Sequence, residues 1–273
     1  MKDSTRNIQG WLLFTPAAIL LLAFTHYPTI TTFFQSLYTN KSILRPRRFS
    51  GVEAYESMFS DPIFWKVFVN NMWLALGTIP TSIGIAILMA LIVNKAIPGR
   101  GFLRMAYFTP TMLPMIAVAN IWLFFYAPEV GLIDKVLEIF GFEGNNWLGN
   151  PSTVLPSIIV MTVWKEAGLF MVFYLAGLQT ISPELEEAAK LEGSSRWNYF
   201  WRIQFPLLLP TTLFVLINAF LNSFKLVDHL FVLTKGGPDN ASNLILYYIY
   251  ETAFSFLDIS YACLLYTSPS PRD

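Results

Sequence analysis

The sequence predicts an all-α, polytopic helical membrane protein. Of its 273 residues, 54% are apolar and only 13% are charged, and the mean hydropathy is +0.49, values far from the averages of soluble domains. Four charge-free intervals each hold enough residues for a helix to cross a hydrocarbon core of about 30 Å. They run from Arg6 to Lys41, Lys66 to Lys95, Arg104 to Glu129 and Arg202 to Lys225. The sequence therefore predicts that lipid surrounds most of this chain.

Five spans are predicted in order along the chain. They lie near residues 11–35, 68–93, 104–127, 154–178 and 204–227. The fourth span differs from the others because Lys165 and Glu166 lie in its middle. The apolar part of the first span is too long for a signal peptide, and no small-residue cleavage pattern follows it. We therefore expect the first span to be retained.

Basic residues in the short loops favour a cytoplasmic N-terminus. With that orientation the basic residues on the cytoplasmic side are Lys2, Arg6, Lys95, Arg100, Arg104, Lys190, Arg196 and Arg202. The first external loop opposes this with Lys41, Arg45, Arg47 and Arg48, whereas the second, around Glu129 to Glu143, is acidic. On balance we expect the N-terminus to lie inside.

Several function classes have no support in the sequence. The formal charge is +0, from 18 basic and 18 acidic side chains, so no basic surface is available for nucleic acid. A single cysteine, Cys263, and two distant histidines, His26 and His229, indicate neither a disulfide nor a metal site. No stretch matches the phosphate-binding pattern G-x-x-x-x-G-K-[ST]. We therefore expect no ATPase activity and no cofactor in this chain.

The composition changes abruptly after Ala262. Residues 263–273, CLLYTSPSPRD, are rich in serine and proline and indicate neither a helix nor the continuation of an apolar segment. They resemble the translation of a sequencing-library transposon adapter. We therefore expect the natural reading to end near Ala262, a sixth span to be truncated, and Cys263 not to be native.

The loop at residues 182–206 has strong helix-end signals. Ser182 suits the N-cap, Pro183 the first helical position and Glu184 the positive helix end. We expect this helix to stop at Gly193, where glycine allows the chain to reverse. Ala188 and Ala189 should leave a low surface that another protein can approach closely.

The same loop then returns to the membrane. A second amphipathic segment is predicted at residues 194–203. Pro206 and Pro210 follow at the start of the next span, where proline is tolerated. The loop is therefore predicted to be a helix, a turn and a second helix.

The residues of this loop resemble the EAA signature of ABC-importer permeases. Glu187-Ala188-Ala189 is followed after three residues by Gly193, after nine more by Ile203, and after one more by Phe205-Pro206. The one departure is Phe205, where leucine is usual. Residues 11–30, 49–80, 163–181 and 233–254 look like the carbohydrate-uptake class, similar to maltose and glycerol-phosphate permeases. The resemblance covers nearly the whole chain to Ala262.

This resemblance implies a type I ABC-importer transmembrane domain whose two-helix loop inserts into a groove on a cytoplasmic ATPase. The implied coupling residues are Glu187, Ala188, Ala189, Gly193, Ile203 and Pro206. The implied partners are ABC ATPase subunits that carry ATP and Mg, a second homologous permease subunit, an extracytoplasmic solute-binding protein, a sugar-like solute and membrane lipid. The implied location is the bacterial cytoplasmic (inner) membrane, with import by alternating access.

Polar residues within the spans are candidates for a solute pathway. Lys165 and Glu166 are costly in mid-span unless they face protein or water. Asn218, Asn222 and Lys225 share a helix face, which suits either sugar hydroxyls or hydrogen bonds between helices. The resemblance to maltose-type permeases favours Glu166, Leu169, Asn222 and Ser223 as the solute neighbourhood. Asp228 and His229 are expected near the external surface in a solvated role.

Two other function classes compete with this interpretation. An ion-gradient-driven secondary transporter would show internal repeats and discontinuous helices around ion sites; the sequence shows no convincing repeat. A membrane-embedded enzyme would need converging nucleophile, acid-base or metal-ligand motifs. Two isolated histidines give that class little support.

Overall fold

Helices dominate the chain, as the composition predicts. A computed structural model describes residues 2–39, 48–95 and 97–267; Lys41, Arg45 and Arg47 of the first external loop lie outside these ranges. The helices are α1 (Lys2–Leu21), α2 (Tyr27–Ser36), α3 (Glu53–Phe59), α4 (Pro62–Asn94), α5 (Arg100–Met112), α6 (Met115–Phe125), α7 (Leu132–Ile139), α8 (Val154–Gln179), α9 (Pro183–Leu191), α10 (Arg196–Tyr199), α11 (Phe205–Lys225), α12 (Asp228–Leu233), α13 (Ile245–Tyr250) and α14 (Ile259–Thr267).

Short elements complete this arrangement. Three π-helical turns, Leu22–His26, Phe200–Gln204 and Glu251–Ser255, continue from neighbouring α-helices. A two-residue antiparallel ladder joins β1 (Tyr38–Thr39) to β2 (Arg48–Phe49). Apart from this ladder, the described residues confirm the all-α prediction.

Four stretches are long and apolar enough to cross a membrane. They are Gly10–Ser36, Pro62–Asn94, Val154–Gln179 and Arg196–Leu233. Helices α5 and α6 make a fifth span only if they are taken together, because they are bent by 101° at their junction. The described residues therefore contain up to five spans.

The bend divides the span predicted near residues 104–127 into two helices. Leu113 has extended backbone angles, φ −74° and ψ 136°, because a residue that precedes proline is pushed out of the α region. Pro114 then has no N–H to donate to the preceding turn. Helix α5 therefore ends at Met112 and α6 begins at Met115.

The described chain divides into two compact units. One contains residues up to 64 together with those from 248 onward, and the other contains residues 65–247. In the first unit the Asp61 Oδ2 atom accepts hydrogen bonds from the hydroxyls of Tyr248, at 2.9 Å, and Tyr261, at 2.8 Å. Helix α14 packs against α2 in this unit.

Helix α14 corrects one expectation about the end of the chain. The helix passes through Cys263 and continues to Thr267, whereas the sequence predicted no helix after Ala262. The Tyr55 hydroxyl lies 3.3 Å from the Thr267 hydroxyl, so this end has contacts within its unit. Residues 268–273 of the predicted tail lie outside the described residues.

Helix α8 lies at the centre of the second unit. Its Ile158 and Met161 belong to one buried apolar cluster, with residues of α4, α6 and α12. Its Phe170 and Tyr174 belong to another, with residues of α4 and α11. Gly168 lies between these two pairs, and an added Cβ there would collide with the carbonyl oxygen of Tyr107 in α5. The absence of a side chain at Gly168 therefore lets α5 and α8 approach closely.

A buried aspartate organises the loop between α6 and α8. The Asp134 carboxylate accepts hydrogen bonds from the Trp147 indole at 2.6 Å, from the Glu129 amide at 3.0 Å and from the Asn145 amide at 3.4 Å. Burial opposes ionisation of Asp134, but these donors, helped by Lys135, lower its pKa below the ordinary value. The carboxylate is therefore ionised at neutral pH and fastens the loop.

Replacing Asp134 with alanine should loosen this loop. Hydrogen bonds to a charged acceptor contribute about 1.5–3 kcal/mol each, so the Glu129 and Asn145 amides should exchange hydrogen at least about tenfold faster. Hydrogen-exchange mass spectrometry at neutral pH measures this change. Glu138→Ala is the control, because its ion pair with Lys135 is exposed and contributes little.

The pH dependence of this loop has a defined sign. Because the pKa of Asp134 is lowered by folding, its stabilisation is present above the ordinary aspartate pKa and is lost as the pH falls through the lowered value. The wild-type loop should therefore lose its extra protection in acid, and Asp134→Ala should lack this transition. Equal protection of wild type and Asp134→Ala at neutral pH would contradict this role.

Candidate functional site

The candidate coupling site is a helix-turn-helix at residues 182–206. The Ser182 hydroxyl caps α9 by accepting a hydrogen bond from the Glu184 amide at 3.4 Å. Pro183 occupies the first turn, and Lys190 pairs with Glu186 at 2.7 Å one turn earlier. The first helix of the loop thus has a capped start and an internal ion pair.

Helix α9 ends in a Schellman turn. The Gly193 amide donates to the Lys190 carbonyl at 3.1 Å, and the Ser194 amide donates to the Ala189 carbonyl at 2.9 Å, as this motif requires. Gly193 has φ +69°, and an added Cβ would meet nothing within 4 Å. Glycine is favoured there for its backbone conformation and not for lack of space.

The open surface of α9 carries Glu187 and Ala188, which are both exposed. Ala189 is buried, with 5% of its surface exposed. The expectation that both alanines offer a low surface is therefore wrong for Ala189, because Ala189 lies on the helix face that packs against this chain. Of the two alanines, only Ala188 lies on the exposed surface of α9.

The second half of the loop leads into α11. The Ser195 hydroxyl caps α10 by accepting from the Asn198 amide at 3.2 Å. The π-helical turn that contains Ile203 connects α10 to α11, and Pro206 lies in the first turn of α11. Ile203 is half-buried, whereas Pro206 is exposed. The loop is therefore continuous in helical structure from Arg196 into the span.

The Lys165 ammonium group has hydrogen-bond partners within the protein. Its ammonium donates to the carbonyls of Leu113 at 2.7 Å and Thr111 at 3.4 Å, which lie at the break between α5 and α6. The Thr111 hydroxyl donates in return to the Lys165 carbonyl at 3.0 Å. Lys165 thus satisfies backbone groups that the bend leaves without helical partners.

Glu166 and Asn222 face one another. The Asn222 amide lies close enough to the Glu166 carboxyl group to influence it, and the Lys165 charge does the same. Both side chains are half-buried. Together they bring carboxylate and amide groups of α8 and α11 to one place, where sugar hydroxyls would find both acceptors and donors.

The other predicted pathway residues are spread over separate positions. Asn218 donates to the carbonyl of Phe214 in its own helix at 2.8 Å. Ser223 is buried and donates to the Phe220 carbonyl at 2.7 Å. Leu169 packs against the apolar cluster of α4, α8 and α11. Lys225 is exposed in the last turn of α11.

A polar network of two asparagines was not assigned a role from the sequence. Asn70 donates to the carbonyls of Asn240 at 2.8 Å and Asn243 at 3.1 Å. Asn71 donates to the Ser223 carbonyl and accepts from the Ile245 amide, both at 3.4 Å. The signal in the sequence was two adjacent amides in an apolar span. They join α4 to the end of α11 and to the segment before α13.

His229 corrects the expectation of a solvated residue. It is fully buried, and neither ring nitrogen has a hydrogen-bond partner among the described residues. The reason is that the short helix α12 packs against α6 and turns this side chain inward. Asp228, the preceding residue, is exposed.

Comparison with known proteins links these features to one family. The family described as "Binding-protein-dependent transport system inner membrane component" matches residues 82–269. The chain is 33% identical over 257 residues to the sulfoquinovosyl glycerol transport system permease protein of Agrobacterium fabrum, covering 93% of this chain and 83% of that protein. It is 30% identical over 262 residues to the lactose transport system permease protein of Rhizobium radiobacter, covering 94% and 87%.

The fold also matches a solved transporter. A bacterial alginate ABC transporter, solved in complex with an alginate pentasaccharide-bound periplasmic protein, contains a chain that matches with a TM-score of 0.85. The match covers 99% of this chain and 91% of that one, at 22% identity. This likeness extends the shared fold to nearly the whole sequence.

Proposed function

Because this chain belongs to the binding-protein-dependent transport system inner membrane components, we propose that it is the permease subunit of an ATP-driven importer for a sugar-class solute. The observation that carries this proposal is the loop at residues 182–206. Its capped helix, Schellman turn and exposed Glu187 form a short rigid projection. A rigid projection transmits movement of a partner to the spans, whereas a flexible loop would dissipate it.

The proposed partners follow from what the chain itself lacks. ATP and Mg are bound by ABC ATPase subunits that receive the coupling loop, since the sequence has no P-loop. A second homologous permease subunit completes the pathway, and an extracytoplasmic solute-binding protein delivers the solute. The complex lies in the bacterial inner membrane with the N-terminus of this chain in the cytoplasm, as the basic residues favour.

The sugar class is supported by two lines of reasoning. The names of the relatives refer to sulfoquinovosyl glycerol and lactose, both of which present sugar hydroxyls. The facing Glu166 and Asn222 offer a matching set of acceptors and donors. Alternating access would expose this pair first to the outer side and then to the cytoplasm.

Transport in proteoliposomes tests the proposed energy source. The chain is reconstituted with an ATPase, a second permease and a binding protein from the same genome, and uptake of radiolabelled lactose and maltose is measured. We expect uptake with internal ATP and none with an imposed sodium or proton gradient alone. Uptake that follows the ion gradient without ATP would instead support a secondary transporter.

Reversing the charge of Glu187 should uncouple the ATPase. In Glu187→Lys the exposed carboxylate that we place at the ATPase groove becomes a cation, so ATPase association and uptake should both fall at least about tenfold, the equivalent of 1.4 kcal/mol. Insertion into the membrane should be normal. Co-purification of the ATPase and ATP-driven uptake measure the effect.

Glu192→Lys provides the matched control for this charge reversal. Glu192 is also exposed but caps the C-terminal end of α9, where a cation is favourable. Normal association and uptake in Glu187→Lys would count against the assignment. Equal losses of association and uptake in both variants would show that the effect comes from the added positive charge and not from the position of Glu187.

Removing the Asn222 amide should affect transport and spare docking. Asn222→Leu leaves the Glu166 carboxylate without its facing amide, so we expect uptake to fall about tenfold while the ATPase still co-purifies. Asn218→Leu is the control, because among the described residues that amide donates only to a carbonyl of its own helix. Unchanged uptake in Asn222→Leu would remove this residue from the pathway.

A further inference from the structure

The loop between α6 and α8 exposes a row of large apolar side chains outside every span. Leu132, Val136 and Ile139 are 50%, 45% and 81% exposed. Their spacings of four and three residues place them on one face of α7. Phe140 continues the row at the end of the helix and is 73% exposed. We call these four residues the apolar row.

Side chains on the other sides of α7 already have polar partners. Asp134 points inward and is held by the Trp147 indole at 2.6 Å. Lys135 and Glu138 form an exposed ion pair at 3.0 Å. Because the Asp134 side is fixed, the helix cannot rotate to hide the apolar row. Helix α7 is therefore amphipathic, with its apolar face left open.

The position of the loop connects this face to the bilayer. The loop begins after α6, which belongs to the bent pair of α5 and α6, and it ends at α8, which is long and apolar enough to span the membrane by itself. The Tyr126 hydroxyl donates to the Ser157 carbonyl at 2.8 Å, and its ring lies 6.4 Å from that of Trp147. Trp147 keeps part of its surface exposed, and tryptophan is enriched at membrane interfaces. The loop is thus held at the level where the α8 span begins.

We propose that α7 rests in the interfacial layer of the membrane, with the apolar row in contact with lipid acyl chains. This surface lies at the end of α8 opposite to the coupling loop, because α8 separates the two in the chain. The apolar face of an interfacial helix is buried at the boundary between headgroups and acyl chains. Lipid would then cover the apolar side of α7, which the described residues leave exposed.

The charges of the loop specify the kind of lipid contact. Between residues 126 and 153 the acidic residues are Glu129, Asp134, Glu138 and Glu143, and the only basic residue is Lys135. Such a segment gains nothing from anionic headgroups. The seating of α7 is therefore driven by apolar contact and should not depend on anionic lipid.

Spin-label accessibility in nanodiscs tests this location directly. In the assembled complex, with Cys263 replaced by serine and partner cysteines removed, a nitroxide is attached at Ile139→Cys. Glu138→Cys is the matched control on the charged face, and Leu132→Cys repeats the test at the other end of the row. Power saturation is measured with oxygen, which partitions into lipid, and with a water-soluble nickel chelate.

We expect the ratio of oxygen to nickel accessibility to be several-fold higher at positions 139 and 132 than at position 138. High nickel accessibility at position 139 would place the row in water and overturn the proposal. Low accessibility to both reagents would overturn it in favour of a protein partner, such as the binding protein or the second permease. These readouts do not depend on transport, so they separate this inference from the proposed function.

Lipid composition tests the apolar origin of the contact. The ratio at position 139 is compared in nanodiscs of phosphatidylcholine alone and of phosphatidylcholine with phosphatidylglycerol. We expect the same ratio in both. A ratio that becomes high only with phosphatidylglycerol would contradict seating by apolar contact.

Discussion

Replacing Gly168 with alanine is expected to push α5 away from α8 and to lower the melting temperature of the complex by roughly 3–10 °C. The added Cβ would collide with the Tyr107 carbonyl oxygen and would lie 3.1 Å from the Thr111 hydroxyl. A backbone carbonyl cannot rotate away as a flexible side chain can. Overpacking of this kind costs about 1–3 kcal/mol.

The effect should reach beyond the contact itself. Thr111 and Lys165 hold the break between α5 and α6 through hydrogen bonds at 3.0 and 3.4 Å, and a shift of α5 would stretch both. Thermal melting of the complex in detergent, followed by size-exclusion chromatography, measures the loss. Uptake should fall in parallel because fewer complexes remain intact.

Gly84→Ala is the matched control for this substitution. Gly84 lies inside α4, and an added Cβ there meets nothing within 4 Å. Alanine is also the better helix former by about 0.8–1.0 kcal/mol, so this variant should melt at or above the wild-type temperature. Identical melting of Gly168→Ala and Gly84→Ala would contradict the close approach of α5 and α8.

The second large effect is expected at Gly193. Gly193→Val forces a β-branched residue into φ +69°, where even an ordinary L-residue loses about 1–2 kcal/mol. That cost lowers the population of the Schellman turn relative to other conformations about tenfold. ATP-driven uptake should therefore fall at least about tenfold. Uptake in proteoliposomes and the amount of inserted chain measure the two parts of this prediction.

Gly99 supplies a control of the same conformation. It has φ +78°, and an added Cβ likewise meets nothing within 4 Å, but it precedes α5 and lies outside the coupling loop. Gly99→Val should carry a similar conformational cost and keep most of the uptake. If Gly193→Val transports normally, the Schellman turn has no part in coupling.

The sequence predicted those features whose causes are local. Ser182 caps α9 and Gly193 ends it because capping and left-handed turns depend on a few adjacent residues. Charge-free intervals likewise indicated where α4 and α11 lie, because the cost of a charge in lipid applies residue by residue.

Features that depend on contacts with a neighbouring helix could not be predicted from local sequence. The 101° bend at Pro114 is held by Lys165, which is 51 positions away in the numbering of the chain. Ala189 and His229 are buried because their sides of α9 and α12 pack inward. Helices as short as these show too little periodicity in their sequence to predict which side faces the protein. Glu166 and Asn222 meet only because α8 and α11 are neighbours.

The position of Gly168 along α8 has a mechanical consequence. At 1.5 Å per residue, the helix extends about 21 Å from Gly168 to Val154 and about 17 Å from Gly168 to Gln179. If α8 tilts about its closest contact with α5, it acts as a lever with two nearly equal arms. A displacement of the Gln179 end, beside the coupling loop, would then move the Val154 end, on the side of Trp147, slightly farther and in the opposite direction.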